Sequence, residues 1–201
     1  MKCIYDKVCP NLSDNCWRSC YRYIKFNNLV NQLNITDKAI TTFLGGYVQG
    51  KIYSLKQLFS QNAKIAIITF EDFYLCQFLM FKYSLYLINK ILMPMETMPT
   101  ILNITFNDVI EAHFNNGIQN ITNINECELL ILRNYHTVTS PTGKQIINDL
   151  ISSRISKDLH TIMLFEKDIV NNDEGVIKHC IQYYKEDVMM LNDSNITTEE
   201  I

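Results

Sequence analysis

Residues 125–154 read NECELLILRNYHTVTSPTGKQIINDLISSR. Within them, residues 128–133 (ELLILR) form a short apolar run without polar alternation, the pattern of a strand covered on both faces. Turn residues follow, and then residues 142–155 place Ile146, Ile147, Leu150 and Ile151 at helical spacing behind Pro141. A buried strand that feeds a helix is one half of a parallel crossover unit, so the same alternation is expected on either side.

It is found there. Upstream, residues 64–70 (KIAIITF) read as a buried β-branched strand, and residues 72–92 as a long helix stopped by Pro94 and Pro99. Residues 100–106 (TILNITF) read as a second strand, and residues 108–114 as a short helix with Asn107 as its cap. Downstream come a strand at residues 160–165 (HTIMLF), a helix at 176–184 and a short run at 188–191. Gly45, Gly46 and Gly50 mark a turn region beside a short edge element near residues 51–53. The expected fold is α/β: a parallel sheet with helices on both faces over residues 51–191. A Cys-rich module and helix in residues 1–50 precede it, and a polar, loose tail follows from residue 192 to residue 201.

Two hundred and one residues with 47% apolar content suffice for one full core. A net charge of −3 supplies no global attraction to nucleic acid, so such contact would need a local basic patch. The N-terminus carries no long apolar run, and residues 73–93 are broken by Gln77, Lys82, Ser84, Asn89 and Lys90. Neither a signal peptide nor a spanning helix is expected, which favours a soluble cytoplasmic protein. The bias toward Asn, Ile, Lys and Tyr looks like that of an AT-rich genome, so the Asn-x-Ser/Thr sequons carry no functional meaning.

Cys3, Cys9, Cys16 and Cys20 cluster with spacing C-x5-C-x6-C-x3-C, and turn residues Pro10, Asn11, Ser13, Asp14 and Asn15 lie between them. Four thiolates brought together by short loops suit a structural zinc ion. Free thiols in a reducing compartment or a pair of disulfides are the alternatives, because the spacing lacks the C-x2-C knuckle. Arg18, Arg22 and Lys25 follow among aromatics, a mixture that serves either single-stranded nucleic acid or a packed helix with a solvated edge.

Three segments together carry a resemblance: the opening MKCIYDKVCPNLSDNCWRSCYRYIKF, the KIAIITF strand with its long helix, and the ELLILRNYHTVTSPTGKQIINDLISSRISKDLHTIMLF block. In order and pattern, from the Cys cluster to about Leu191, the chain resembles the phage-encoded branch of DnaC/DnaI-type helicase loaders, which are AAA+ ATPases. The resemblance implies a P-loop after the first core strand, paired acids after the third, a polar sensor after the fourth and a late arginine that acts across subunits. None is present. The first turn is Phe70, Glu71, Asp72, Phe73, Tyr74, Leu75, Cys76, Gln77, with no Gly or Lys to hold phosphate. Arg133 and Asn134 stand in place of the acids, Met163, Leu164 and Phe165 are apolar, and no arginine follows Arg154.

The expectation is therefore a degenerate AAA+-like core: a non-catalytic pseudo-ATPase with no catalytic residues and no bound nucleotide. It would act by contact with the replicative helicase, with an active loader-like ATPase or with a copy of itself, in the cytoplasm of a bacterial host. The alternative is a zinc-stabilised binder of single-stranded DNA or RNA through Arg18, Arg22 and Lys25. Other candidates are weaker. His136 follows the third strand at the edge where α/β sheets bind ligands, but a solvated loop explains it as well. His179 and Cys180 are adjacent on a helix and so diverge. Residues 141–144 (PTGK) read as a helix-starting turn rather than a phosphate loop, and Cys76 and Cys127 as packing. Met93, Met95 and Met98 with Phe78 and Phe81 read as core more readily than as a partner surface.

Overall fold

The computed structural model describes residues 28–39, 51–55, 63–90, 99–115, 118–170 and 175–200. Cys3, Cys9, Cys16, Cys20, Arg18, Arg22 and Lys25 lie outside the described residues, as do Met93, Met95 and Met98. Among the described residues no helix is long and apolar enough to cross a membrane.

After a short helical turn at Asp37–Ala39, the elements in chain order are β1 (Lys51–Leu55), β2 (Ile65–Phe70), α1 (Phe73–Lys90), β3 (Ile101–Thr105), α2 (Phe106–Phe114), α3 (Ile118–Glu126) and β4 (Leu129–Arg133). After a 3-10 turn at Tyr135–Thr137 come α4 (Pro141–Ser156), β5 (His160–Glu166), α5 (Lys167–Val170), α6 (Val176–Tyr183), β6 (Val188–Leu191) and β7 (Ile196–Glu200). Five strands form one parallel sheet in the order β3-β4-β5-β2-β6. In the common dinucleotide-binding and flavodoxin-like orders the first strand lies beside the second. Here β2, the first strand of this sheet, lies between β5 and β6, and β3 stands at the far edge.

The apolar runs divide between two cores by strand alternation. Ala66, Ile68, Leu129, Ile131, Ile162 and Leu164 face α1 and the segment from Leu29 to Ala39. Ile65, Ile67, Leu130, Leu132, Met163 and Phe165 belong to the opposite core, with buried residues of α2, α3, α4 and α6. Cover on both sides explains why the strand sequences read as unbroken hydrophobic runs. Phe78 and Phe81 are each 1% exposed, so they belong to the core.

Local chemistry sets the helix ends. Thr105, with extended backbone at φ −84° and ψ 158°, caps α2: its hydroxyl accepts from Asp108 N at 3.0 Å, and Asp108 accepts from Thr105 N at 2.7 Å. This capping box corrects the expectation that Asn107 caps the helix, since Asn107 already lies within it. Ser140 caps α4 by accepting from Gly143 N at 3.0 Å, with Pro141 in the first turn, so the PTGK stretch is a helix start. A Cβ on Gly143 would lie 2.9 Å from Ile110 Cδ1, so this glycine serves the close packing of α4 on α2.

Two segments differ in detail from the sequence reading. Residues 28–39, placed within the N-terminal module, put Leu29, Leu33 and Ala39, each 1% exposed, into the core beside α1. Residues 192–201, expected to be a loose tail, contain a 3-10 turn at Asp193–Asn195 and the strand β7, which pairs antiparallel with β1 from Leu55↔Ile196 to Lys51↔Glu200. Asn192 Oδ1 accepts from Ser194 N at 2.9 Å and helps set the turn that starts this return.

Candidate functional site

All five parallel strands end at one edge of the sheet, where open α/β sheets bind ligands. A cleft of about 560 Å³ lies there, lined by the exits of β2, β4 and β5, by α1, by Asn103 of β3 and by Leu33 and Asn34. It gathers Phe70, Glu71, Phe73, Cys76 and Gln77 from the first turn compared with a P-loop, and Arg133 and Asn134 from the β4 exit.

At the β2 exit, Asp72 Oδ1 accepts from Tyr74 N at 2.7 Å and from Leu75 N at 3.4 Å. The first turn of α1 thus directs backbone N–H groups at its own carboxylate, at the place where a phosphate-binding helix would present them to a ligand. Glu71 forms an ion pair with Lys167 at the β5 exit; both are well exposed, at 63% and 59%, so the pair contributes little to stability. Phe73, 54% exposed, meets Phe70 edge to face with ring centroids 6.4 Å apart.

At the β4 exit, Arg133 and His136 are exposed on the rim and Asn134 turns the chain in the left-handed region at φ 61°. Tyr135 instead points into the core, 5.0 Å from the Phe106 ring and 4.7 Å from the Phe165 ring. The structure extends β5 one residue beyond the expected end, so its exit is Glu166 rather than Phe165. Met163 and Phe165 are fully buried and do not reach the cleft.

The remaining wall was not legible in the sequence. Gln77, 4% exposed in the second turn of α1, accepts from Thr36 Oγ1 at 2.7 Å and Thr36 N at 3.2 Å, and donates to Asn34 O at 3.1 Å. Asn103 donates through Nδ2 to Leu33 O at 3.0 Å. Lys38 lies 4.3 Å from the centroid of the Tyr74 ring. Together these contacts hold residues 33–38 against α1 and close one side of the cleft. The available signal was a polar residue inside an apolar run: Asn103 in TILNITF, Gln77 in the long helix.

Near the opposite edge of the sheet lies Arg154, fully buried at the end of α4. Nε donates to Thr161 Oγ1 at 2.9 Å, Nη1 to Ile124 O at 2.7 Å and Cys127 Sγ at 3.4 Å, and Nη2 to Cys127 O at 3.0 Å and His160 O at 2.6 Å. These five acceptors match the five N–H donors of a guanidinium. Arg154 therefore joins the end of α3 to the start of β5. Burial pulls its pKa below the ordinary value, opposed by Cys127, whose own thiol burial pushes up. His160, 2% exposed, has Nδ1 3.3 Å from Ala63 O, and burial, followed by the charge of Lys64, lowers its pKa to about 4.

The remaining histidines stay apart. His113 borders a second groove of about 230 Å³ between α2, α3 and α4. His179 lies among Tyr183 and Tyr184, with centroids at 4.8 and 5.8 Å, whereas the adjacent Cys180 is fully buried, so the two diverge as helix geometry requires. Cys76 and Cys127 are buried thiols. Among the described residues no group of three or more His, Cys, Asp or Glu is placed to hold a metal ion. No family model matches the chain, and no curated protein matches it.

Proposed function

We propose that this chain is a non-catalytic pseudo-ATPase related to phage helicase loaders, acting by protein–protein contact on the replication machinery as adaptor or inhibitor. The proposed partner is the replicative helicase or an active loader-like ATPase in the bacterial cytoplasm. Zinc held by Cys3, Cys9, Cys16 and Cys20 belongs to the same proposal. The observation that carries it is the Asp72 carboxylate on the first turn of α1. A triphosphate approaching that turn would meet an anion in place of free N–H groups, and Glu71 stands beside it.

Two further features support the reading. Arg133 and Asn134 leave the β4 exit without an acid for Mg²⁺ or for an attacking water. The sheet order places the second core strand at the far edge, outside the common dinucleotide-binding and flavodoxin-like orders. A scaffold with its phosphate-binding turn self-capped retains surfaces as its working parts.

The test has two arms. A fluorescent ATP analogue with Mg²⁺ is expected to show no saturable binding; saturable binding would refute the loss of the nucleotide site. Capture on the tagged chain from host cells, with nuclease present, is expected to recover a helicase or loader-like ATPase. Recovery that vanishes with nuclease would overturn the protein-contact reading in favour of nucleic acid.

A further inference from the structure

One edge of the parallel sheet is β3, whose five residues are all half-buried, whereas β4 beside it is buried along all but its last residue. The directions of its backbone groups follow from the ladder. Leu129 N donates to Thr100 O at 3.1 Å and Ile101 is in register with Leu129, so Thr100, Leu102 and Ile104 turn toward β4. The N–H and C=O groups of Ile101 and Asn103 therefore point outward, and no described residue bonds them. Beyond this open pair the donors end on both sides. Pro99 has no N–H, and Thr105 N–H is committed to Asp108 Oδ2 at 2.7 Å. Natural sheet edges are guarded by charges, by prolines within the strand or by bulges. Residues 100–107 carry no charge, and the register runs unbroken from Ile101↔Leu129 to Thr105↔Arg133.

We infer that a second copy of this chain adds its own β3 antiparallel at this edge, joining the two parallel sheets into one across a twofold axis. A register that pairs Ile101 with Asn103 of the second copy uses every open group, since both outward donors and both outward acceptors of each strand enter the ladder. Sliding so that Asn103 faces itself would set Ile101 against Thr105, whose N–H is already taken. An unrelated extended peptide could also answer the backbone, but a second copy matches the closed ends as well. Its Thr105 falls opposite Pro99, so neither residue of that pair strands a donor. Leu102, half-buried on the face that carries α2, meets itself at the axis in the close, non-hydrogen-bonded position. The uncharged strand brings no like charges into opposition. The contact is isologous and closes at two copies, unlike the head-to-tail contacts that build rings. It goes beyond the replication link proposed above and does not depend on it.

Sedimentation velocity of the full chain under reducing conditions, from about 1 to about 100 μM, is expected to show a monomer–dimer equilibrium, as suits a short ladder. Ile101→Pro removes an outward N–H and spares the bonds to β4, so dimerisation is expected to weaken at least roughly tenfold, the scale of the two hydrogen bonds lost per dimer. Circular dichroism checks that this variant keeps its fold. Leu102→Cys reads the register independently. In a non-hydrogen-bonded pair the two Cα atoms lie about 4.5 Å apart, within disulfide range. Mild oxidation is expected to give a peptide cross-linked between the two copies of position 102, identified by mass spectrometry. Ile104→Cys, placed opposite Thr100 of the second copy, is expected to give no such self-linked peptide. A monomer at every concentration would overturn the inference. So would a dimer without the cross-link at position 102, or one that a folded Ile101→Pro variant leaves unchanged. If Ile101→Pro does not fold, the two cysteine variants decide alone.

Discussion

Replacing Arg154 tests whether a buried cation without a carboxylate partner can act as a structural clasp. Arg154→Met keeps a helix-compatible, apolar stem of similar length and removes the donors. Three backbone carbonyls, at Ile124, Cys127 and His160, lose hydrogen bonds of 2.6 to 3.0 Å. Each buried acceptor left without its donor costs about 1–3 kcal/mol. Relief of the buried charge recovers part of that loss, because desolvating an ion costs several kcal/mol. The net expectation is a loss of about 3 kcal/mol, a large share of the roughly 5–15 kcal/mol that holds a domain together. Arg154→Lys is expected to be no better, since it keeps the buried charge but concentrates three donors at one point, beyond the reach of acceptors on α3 and β5 together. Urea unfolding of the full chain followed by circular dichroism measures both losses. A loss under about 1 kcal/mol for the lysine variant would refute the argument from fork geometry. Partner capture should survive in whatever fraction stays folded, because Arg154 is fully buried and not part of the cleft.

Four further perturbations test other parts of the reading. His160 has a folded pKa of about 4 against 6.5 unfolded, so its contribution is complete above pH 6.5 and is lost as pH falls toward 4, by about 3 kcal/mol. His160→Asn should remove that part of the pH dependence of urea stability, and an unchanged slope would assign it elsewhere. Gln77→Leu, which deletes the contacts to Asn34 and Thr36, should cost about 2–3 kcal/mol and speed amide hydrogen exchange across residues 33–39 before the sheet opens; equal exchange would show that burial of Leu29 and Leu33 alone holds the segment. Asp72→Ala should lower stability by about 1 kcal/mol as a lost helix cap, without creating ATP binding. Metal analysis of Cys16→Ser combined with Cys20→Ser should show zinc lost relative to the unchanged chain, and equal zinc content would exclude these thiols as ligands.

The sheet was legible because its signal is local. Residues 64–70, 128–133 and 160–165 announce strands covered on both faces, and the structure places them as central neighbours β2, β4 and β5. The helix α3 went unread: Ile118–Glu126 is rich in Asn and polar residues, and among its described side chains Ile124 meets the opposite core while Arg154 binds its end. The β1–β7 pairing went unread for another reason. Strand partners separated by most of the chain leave no trace in either segment alone. For the site, the absence of glycine and lysine after β2 was visible in the letters, whereas the capture of the helix N-terminus by Asp72 was visible only in the fold.

Sequence by itself determined which residues must leave water and at what period, and hence the alternating strands and helices, and it set which residue types stand at the strand exits. Period and composition are properties of neighbours along the chain, so they survive without a fold. Only the tertiary structure decided the order of strands, the closure of the cleft by residues 33–38, and the roles of Gln77, Asn103 and Arg154. Each of those depends on polar groups far apart in sequence meeting at hydrogen-bond distance, and a buried polar side chain shows its purpose only through the partner that satisfies it.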